Sequence, residues 1–285
     1  SNNLITGKQN IINTNTSGSG GFGELNTLEN VTNSMIIGTN NTLKDSDNMF
    51  VTGQNNDVSG NSINSLLGGF NNDLYNANNN LVFGKNNKVL TANVSMFFGE
   101  NNTIEAGDHN AIFGKGNEMK TVKHSITTGN NNKVENSDGV VAFGIDNILL
   151  ESNNSMIGGK NSSVNKSKNI VLAGEGNVIE ESPNASVTGY LNELTLSEGS
   201  VIAGIGNKIN IGKQNAVFGV SNELINSDYS FMSGGSNKLG GNYNAIYGRN
   251  NETVDTMYSF IGGEDNITTG GANNMNLGKS NVLNN

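Results

Sequence analysis

The chain is poor in several residue types that common protein classes require. It has no cysteine, no tryptophan, a single proline and only 14% charged residues among its 285. The lack of cysteine excludes disulfide bridges. The net charge of −9, with 16 scattered Lys and Arg, argues against a nucleic-acid partner, which needs clustered basic side chains. No run approaches the roughly 18 apolar residues of a membrane span, and no signal-peptide pattern opens the sequence.

Glycine and asparagine are by contrast abundant, with 38 Gly and 58 Asn. Low charge with abundant Asn is typical of disordered or prion-like segments. Here, however, the segments LVFGKNN, MFFGENN and AIFGKGN place Gly84, Gly99 and Gly114 fifteen residues apart, each preceded by apolar residues. Apolar residues held in phase with glycine indicate an ordered repeat.

The repeat runs through the whole chain. We number each unit from its anchor glycine as position 0, which gives 19 units, and 15 of the 18 steps between them are 15 residues long. The anchor glycines are Gly7, Gly23, Gly38, Gly53, Gly69, Gly84, Gly99, Gly114, Gly129, Gly144, Gly159, Gly174, Gly189, Gly204, Gly219, Gly234, Gly248, Gly263 and Gly278. Nothing remains for a second domain, so we expect one domain over residues 1–285.

Each unit contains two short strand-like segments. Positions −3 and −2 are both apolar in most units, as in Leu81 and Val82, while position +5 is apolar between polar neighbours, as in Val89. The segments are too short and too rich in glycine for helices. The sequence therefore predicts an all-β fold, a parallel β-roll solenoid of about 19 coils with a repeat of about 15 residues and strands about 4.8 Å apart.

The residues after the glycine fit a tight corner followed by a special asparagine. Position +2 is mostly Asn, Gly or Asp, residues that tolerate the left-handed conformation. Position +3 is Asn in 18 units, with Ser162 as the exception. This Asn is either a further corner residue or a member of an internal ladder of stacked amides. We favour the ladder, because a corner would also accept Gly or Asp.

The first strand is apolar on both faces, so its second face must also be covered. A stripe of exposed apolar residues along a whole solenoid marks an interface. We therefore expect an obligate oligomer of closed symmetry that packs along this face.

The repeated motif resembles that of the YadA-like heads of trimeric autotransporter adhesins. It is seen in NSMIIG (33–38), NSMIGG (154–159), YSFMSG (229–234) and YSFIGG (258–263). The resemblance covers essentially the whole chain. It implies a left-handed parallel β-roll that forms a homotrimer at the surface of a Gram-negative bacterium, without catalysis or a cofactor. It also implies binding to a host cell-surface receptor or an extracellular-matrix protein, and the Asn-rich composition is most similar to adhesins that bind CEACAM-family receptors.

The chain departs from the family pattern in two ways. Asn stands where the family has Ser after the glycine, and bulky residues such as Phe97, Phe98 and Met232 occupy positions that are often Ala. We find no neck motif, coiled-coil heptads or membrane-anchor strands. The resemblance therefore implies an outer-membrane protein whose anchor domain is absent from this chain.

Other functions are less compatible with the period. Acyltransferases built on a left-handed β-helix have hexapeptide repeats, and 15 is not a multiple of six; we therefore predict that the chain is not an enzyme. A calcium-binding nonapeptide roll and a Thr-based ice-binding surface also lack their patterns. The strongest alternative is a structural fibre or biofilm protein that self-associates in an amyloid-like way without a specific receptor. A discrete trimer would distinguish the adhesin from such polymers.

The two histidines, His109 and His124, both stand at position −5 and should be stacked neighbours. They could form a metal pair or a pH switch. No third ligand is evident, so we favour two solvated corner residues and predict no metal site.

Two columns depart from the usual residues and are candidate receptor-binding surfaces. Position +1 is mostly polar but becomes Tyr190, Ile205 and Val220 in three successive units, with Ile145 and Phe70 elsewhere in the column. This strip is either a hydrophobic docking surface or a local contact between chains. Position −5 becomes Tyr229, Tyr243 and Tyr258, which is either a receptor contact or an aromatic ladder that stiffens the corner. The three irregular units, at 13–21, 58–64 and 238–244, are further candidates as protruding loops.

Overall fold

The computed structural model describes residues 2–13, 15–121, 123–136, 138–151, 153–166 and 168–285. The chain divides into two compact units, an N-terminal unit, Ser1–Ile145, and a C-terminal unit, Asp146–Asn285. Within the described ranges every regular element is a β-strand. The residues between strands form tight turns and bends.

The N-terminal unit contains nineteen strands in the described ranges. In chain order they are β1 (Leu4–Lys8), β2 (Ile11–Ile12), β3 (Gly20–Glu24), β4 (Thr27–Glu29), β5 (Met35–Thr39), β6 (Thr42–Lys44), β7 (Phe50–Gln54), β8 (Asp57–Ser59), β9 (Leu66–Phe70), β10 (Asp73–Tyr75), β11 (Leu81–Lys85), β12 (Lys88–Asn93), β13 (Met96–Glu100), β14 (Thr103–Asp108), β15 (Ala111–Lys115), β16 (Glu118–Met119), β17 (Ile126–Asn130), β18 (Lys133–Glu135) and β19 (Val141–Ile145).

The C-terminal unit contains nineteen more in its described part. They are β20 (Ile148–Leu150), β21 (Met156–Lys160), β22 (Ser163–Asn165), β23 (Val171–Glu175), β24 (Val178–Glu180), β25 (Ser186–Tyr190), β26 (Glu193–Glu198), β27 (Val201–Ile205), β28 (Lys208–Lys213), β29 (Ala216–Val220), β30 (Glu223–Ile225), β31 (Phe231–Gly235), β32 (Lys238–Asn242), β33 (Ala245–Arg249), β34 (Glu252–Met257), β35 (Phe260–Glu264), β36 (Ile267–Thr269), β37 (Met275–Lys279) and β38 (Val282–Asn284).

In each unit the odd-numbered strands form one parallel sheet, the first sheet, and the even-numbered strands form a second. Successive first-sheet strands pair in register glycine against glycine, as Gly84 pairs with Gly99 and Gly99 with Gly114. In the second sheet the apolar +5 residues pair, as Val89 does with Leu74 and Ile104. The prediction of an all-β parallel solenoid with coils of about 15 residues is confirmed.

The core lies between the two sheets and is built from the −2 and +5 columns. Val82, Val89, Ile112 and Val217 are all fully buried, which confirms the sequence assignment of these two columns. Thr127 brings a hydroxyl into the −2 column, and its Oγ1 has no hydrogen-bond partner.

The asparagine at position +3 forms the predicted internal ladder. Asn102 is fully buried, and its Nδ2 donates to Asn87 Oδ1 at 3.1 Å and to the carbonyl of Gly114 at 2.8 Å. Its own Oδ1 accepts from the backbone N–H and the Nδ2 of Asn117. One side chain therefore bonds both neighbouring coils, which Gly or Asp could not do. At the exception, Ser162, the bond from the backbone of Asn177 lengthens to 3.4 Å.

The anchor position is glycine because the coils approach closely there. Gly99 has φ of 134°, and a Cβ added to it would lie 1.8 Å from the carbonyl oxygen of Gly114. Three further positions in a typical coil adopt the left-handed conformation, as Asn86 at +2, Asn76 at +7 and Asn79 at −5 do. The corner at +7 was not anticipated from the sequence.

Candidate functional site

The largest unusual surface is the outer face of the first sheet, formed by positions −3, −1 and +1. Because side chains alternate along a strand, these three positions point away from the core that position −2 fills. In a single chain they are partly or largely exposed although many are apolar, including Met35, Phe50, Met96, Phe113, Val141, Phe143, Val201, Phe218, Tyr247 and Phe260. The predicted second apolar face is therefore real and lies uncovered in one chain.

The tyrosine column is an exposed stack at one edge of this face. Ring centroids of Tyr229 and Tyr243 lie 5.1 Å apart, and those of Tyr243 and Tyr258 lie 4.9 Å apart, with nearly parallel planes. All three residues have positive φ, and Tyr258 is 55% exposed. The structure thus has the predicted ladder, and its rings also remain accessible.

A groove runs beside the tyrosine column. Its other wall is the −3 column, where Ala216 and Ala245 alternate with Phe231 and Phe260, and its volume is about 670 Å³. Aromatic residues continue across the face, since Phe231 lies 5.1 Å from Tyr247 between ring centroids. The N-terminal unit has a similar groove of about 780 Å³, but its wall at position −5 is asparagine apart from Gly18.

The strip of Tyr190, Ile205 and Val220 lies at the opposite edge of the same face. Register pairs Tyr190 with Ile205 and Ile205 with Val220, and Ile205 is 51% exposed. The strip is continuous, as predicted.

Charged residues flank the strip in its column. Before it, Lys160 Nζ lies 3.8 Å from the Glu175 carboxylate, and after it Arg249 pairs with Glu264. The guanidinium of Arg249, followed by Lys279, lowers the pKa of Glu264. These exposed pairs contribute little stability, but they mark where the usual polar character of position +1 is interrupted.

The histidines stack as predicted, with ring centroids of His109 and His124 5.1 Å apart. Both are exposed. Among the described residues, no three His, Cys, Asp or Glu side chains come together in a way that could hold a metal ion.

The irregular units form no protruding loops in their described parts. In the 58–64 unit the extra residue is taken up by two consecutive left-handed residues, Gly60 and Asn61. The 238–244 unit absorbs its deletion as a register shift between Leu239 and Gly241. In the 13–21 stretch, Thr14 lies outside the described residues. The expectation of protruding loops is wrong for the 58–64 and 238–244 units, because the corners of the coil accommodate the insertion or deletion of one residue.

One group of exposed residues, at the corners that flank the second sheet, was not predicted from the sequence. Leu191 at +2 and Leu196 and Ile211 at +7 all have positive φ, and Leu191 is 54% exposed. Asn, Gly or Asp occupy these positions in most coils. A bulky apolar residue at a corner that favours the left-handed conformation would have marked these residues in the sequence. Recognising Leu196 and Ile211 in this way required knowing that position +7 is a corner.

The second sheet presents a polar outer face. Asp57 and Asp73 pair in register, and partial burial raises the pKa of both carboxyls; the charge of Asp73 raises that of Asp57 further. Elsewhere Lys208 Nζ lies 3.0 Å from the Glu193 carboxylate. This face is therefore suited to solvent, unlike the outer face of the first sheet.

Comparison with known proteins gives limited similarity. No protein-family model and no curated protein matches the chain. Similar solved structures include an acetyltransferase from Desulfovibrio desulfuricans, with 9% identity, 88% of this chain and 68% of that chain covered, and a TM-score of 0.19. An Arabidopsis UDP-N-acetylglucosamine acyltransferase has 12% identity over 95% of this chain and 70% of that chain, with a TM-score of 0.18. No helix in the described part of the chain is long and apolar enough to span a membrane.

These comparisons overturn one prediction. The chain was predicted not to be an enzyme, yet the similar structures include acetyl- and acyltransferases, and the prediction is withdrawn. At TM-scores below 0.2 the likeness carries no argument for acyl transfer by this chain.

Proposed function

We propose that the chain is the head of a bacterial surface adhesin, which assembles as a homotrimer and attaches to host cells. Its partner is a host cell-surface receptor, such as one of the CEACAM family, or an extracellular-matrix protein. The proposal includes display of this head at the outer membrane of the bacterium. The adhesin-like motif, repeated along the whole sequence, supports this class of protein.

The observation that carries the proposal is the exposed apolar outer face of the first sheet. In the C-terminal unit nine strands about 4.8 Å apart, each about 16 Å long from position −3 to +1, give a face of roughly 700 Å². The +1 column of this face is mostly charged, and its large apolar residues lie mainly in the −3 and −1 columns. Exposed apolar patches on monomers are at most a few hundred Å², and a stable interface needs about 800 Å² from each partner. Each unit carries such a face, and each face is comparable in size with one side of a stable interface.

The assembly is tested with a matched pair of substitutions. Val201 on the outer face and Val178 on the second sheet are 38% and 39% exposed in one chain. Val201→Asp should reduce the trimer to single chains, because it would bury a carboxylate at the interface. Val178→Asp should leave the trimer intact. Light scattering of both variants decides this, and equal behaviour of the two would contradict an interface on the outer face.

The receptor contact is best supported at Leu196 and Ile211. A left-handed conformation costs an L-residue roughly 1–2 kcal/mol, and about half of each of these two side chains is exposed in one chain. Strained residues that persist without an internal gain are candidates for function. Both lie at the corner farthest from the outer face of the first sheet along the chain path, so assembly would leave them accessible.

This contact predicts opposite changes in stability and binding. Leu196→Asn with Ile211→Asn restores the residue type most common at corners, so the melting temperature should stay equal or rise while receptor binding falls at least tenfold. Thr91→Asn, at the same corner in the N-terminal unit with φ of 53°, is the control and should bind normally. The assay is binding of purified trimer to arrayed host receptor ectodomains, including CEACAM-family proteins, and matrix proteins. Normal binding by the double variant would remove this surface from the proposal.

The fibre alternative has its own signature. A protein that only self-associates would form polymers without a fixed size and would bind no arrayed host protein above background. Polymers without a fixed size would contradict the adhesin head, and the absence of binding as well would favour the fibre protein.

A further inference from the structure

The outer face of the first sheet has two edges, position −5 at its start and position +1 at its end. Within one coil these positions are six residues apart along extended chain, on the order of 15–20 Å. Their side chains therefore do not pack against each other inside one chain. Folding of a single chain gives no reason for their sizes to be related.

Their sizes are nevertheless complementary in individual coils. The two isoleucines of the +1 column, Ile145 and Ile205, share their coils with glycines at −5, Gly139 and Gly199. The glycine of the +1 column, Gly235, shares its coil with Tyr229 at −5. In these three coils a bulky residue at one edge coincides with a missing side chain at the other. The other bulky apolar residues of the +1 column, Phe70, Tyr190 and Val220, share their coils with Asn or Gln at −5.

Nothing within the chain explains Gly235. Its φ lies outside the left-handed region, and the nearest heavy atom to an added Cβ would be the Val220 carbonyl oxygen at 3.8 Å, an ordinary contact. Most coils carry a side chain at this position. The space above Gly235 is therefore open in one chain.

We propose that the −5 edge of one copy packs against the +1 edge of the next copy, coil against equivalent coil. The inference rests on the proposed homotrimer and deepens it. A cyclic assembly joins two different patches of each chain, and rotation about an axis parallel to the stacking direction keeps every coil at its own height. Tyr229 then fills the space above Gly235 of the neighbouring copy, and Ile205 packs over the neighbour's Gly199.

The charges of the two edges fit this contact. The +1 column contains Lys, Glu and Arg249, whereas the −5 column of all 19 units contains no Asp, Glu, Lys or Arg. The −5 residues that would lie opposite these charges are mostly amides and aromatic rings, so the contact does not bury two like charges against each other. Arg249 meets Tyr243 of the next copy, an arrangement that favours a cation–π contact.

This assignment changes the role of the six residues predicted to bind a receptor. Tyr229, Tyr243 and Tyr258 form one side of the contact between copies. Tyr190, Ile205 and Val220 form the other side. Both sets are exposed in one chain and become covered in the assembly.

Disulfide trapping tests the contact directly, because the chain has no cysteine. Tyr229→Cys and Gly235→Cys are combined in one chain. A disulfide needs Cα atoms about 4.4–6.8 Å apart, so these two positions cannot bond within one chain. Mild oxidation should give covalent dimers and trimers on a non-reducing gel, while each single variant stays monomeric on the gel. Tyr229→Cys with Glu264→Cys, two coils out of register, should not form the bond.

A second variant covers the case in which the cysteine chain folds poorly. Gly235→Lys has room within its own chain, so its circular dichroism should be unchanged while the trimer dissociates. Gln54→Lys, in the same column with Asn48 at its −5 edge, is the control and should remain trimeric.

The outcomes separate this inference from the proposed function. A wild-type protein that is a single chain in solution overturns both. A trimer that does not crosslink through the cysteine pair, or that tolerates Gly235→Lys, overturns only the edge contact. Crosslinking by Tyr229→Cys alone would indicate a twofold contact and would also overturn it.

Discussion

The two units build the same groove with different walls. In the N-terminal unit the wall at position −5 is Asn33, Asn48, Asn64 and Asn79, whose amides bond from coil to coil, as Asn48 Nδ2 does to Asn64 Oδ1 at 3.0 Å. In the C-terminal unit the wall is the stacked tyrosine column. Asn33 and Tyr229 have nearly the same φ, 51° and 54°. One backbone geometry therefore accommodates two side-chain ladders.

The backbone preference at position −5 therefore does not explain the tyrosines of the C-terminal unit. Asn tolerates the left-handed region at little cost, whereas a bulky residue there costs roughly 1–2 kcal/mol. Ring stacking returns about 0.5–1.5 kcal/mol per pair. The tyrosines thus gain little within one chain, which is consistent with a role in contacts outside it.

The largest expected effect is common to both units. Ile112→Asp in the N-terminal unit and Val217→Asp in the C-terminal unit each place an unpaired carboxylate in a fully buried position. The cost is several kcal/mol per chain, and neither variant should fold into a soluble assembly. Circular dichroism and light scattering measure this, with Ile112→Val as the mild control. A well-folded, monodisperse variant would mean that the core is misplaced.

The amide ladder should be equally important in the two units. Asn102→Leu removes two donated bonds and Asn207→Leu removes three. Each also removes the Oδ1 that accepts from the buried backbone N–H of the next coil, that of Asn117 or Asn222. Each buried polar group left without a partner costs about 1–3 kcal/mol. We expect a loss of about 3 kcal/mol in the free energy of unfolding for each variant, measured by denaturant titration. If only one of the two variants were destabilised, the amide ladder would not be equally important in the two units.

Replacing the tyrosine wall of the C-terminal groove with asparagine tests whether the two walls differ in their effect on stability. Tyr229, Tyr243 and Tyr258 changed together to Asn should alter the stability of the isolated chain by only about 1 kcal/mol, because relief of backbone strain offsets lost stacking. The free energy of association of the trimer should fall by more than the stability of the isolated chain changes. Unfolding below and above the concentration at which the chains associate separates the two terms. A sharp fall in the stability of the single chain would show that the ladder mainly stiffens the corner.

The smallest effect concerns acid stability in the N-terminal unit. Burial raises the pKa of Asp57 and Asp73 above the usual 3.8, so the folded state holds protons that the unfolded state has released. Their contribution to stability is therefore greatest at low pH and is lost as pH rises from 3.8 through the folded values. Asp57→Asn with Asp73→Asn should raise the melting temperature slightly at pH 7 and remove this part of the pH dependence. A lower melting temperature at pH 7 would contradict the sign.

The sequence was sufficient for the coil but not for the role of its surfaces. The period, the −2 and +5 core columns and the Asn102-type ladder follow from spacing, because each depends on contacts repeated in every coil. The corner at +7 did not follow, because its residues vary from Asn76 to Ile211. The sequence alone shows that Tyr229 and Gly235 share a coil. Only the structure shows that the space around Gly235 is open, which is what suggests a contact between copies.

The most direct test of the account is the molar mass of the purified protein in solution. Static light scattering across a dilution series should give three times the chain mass of 30.0 kDa, with no larger species and no dissociation until the protein is very dilute. A mass of one chain would contradict the interface on the outer face of the first sheet, and polymers of indefinite size would contradict the adhesin head.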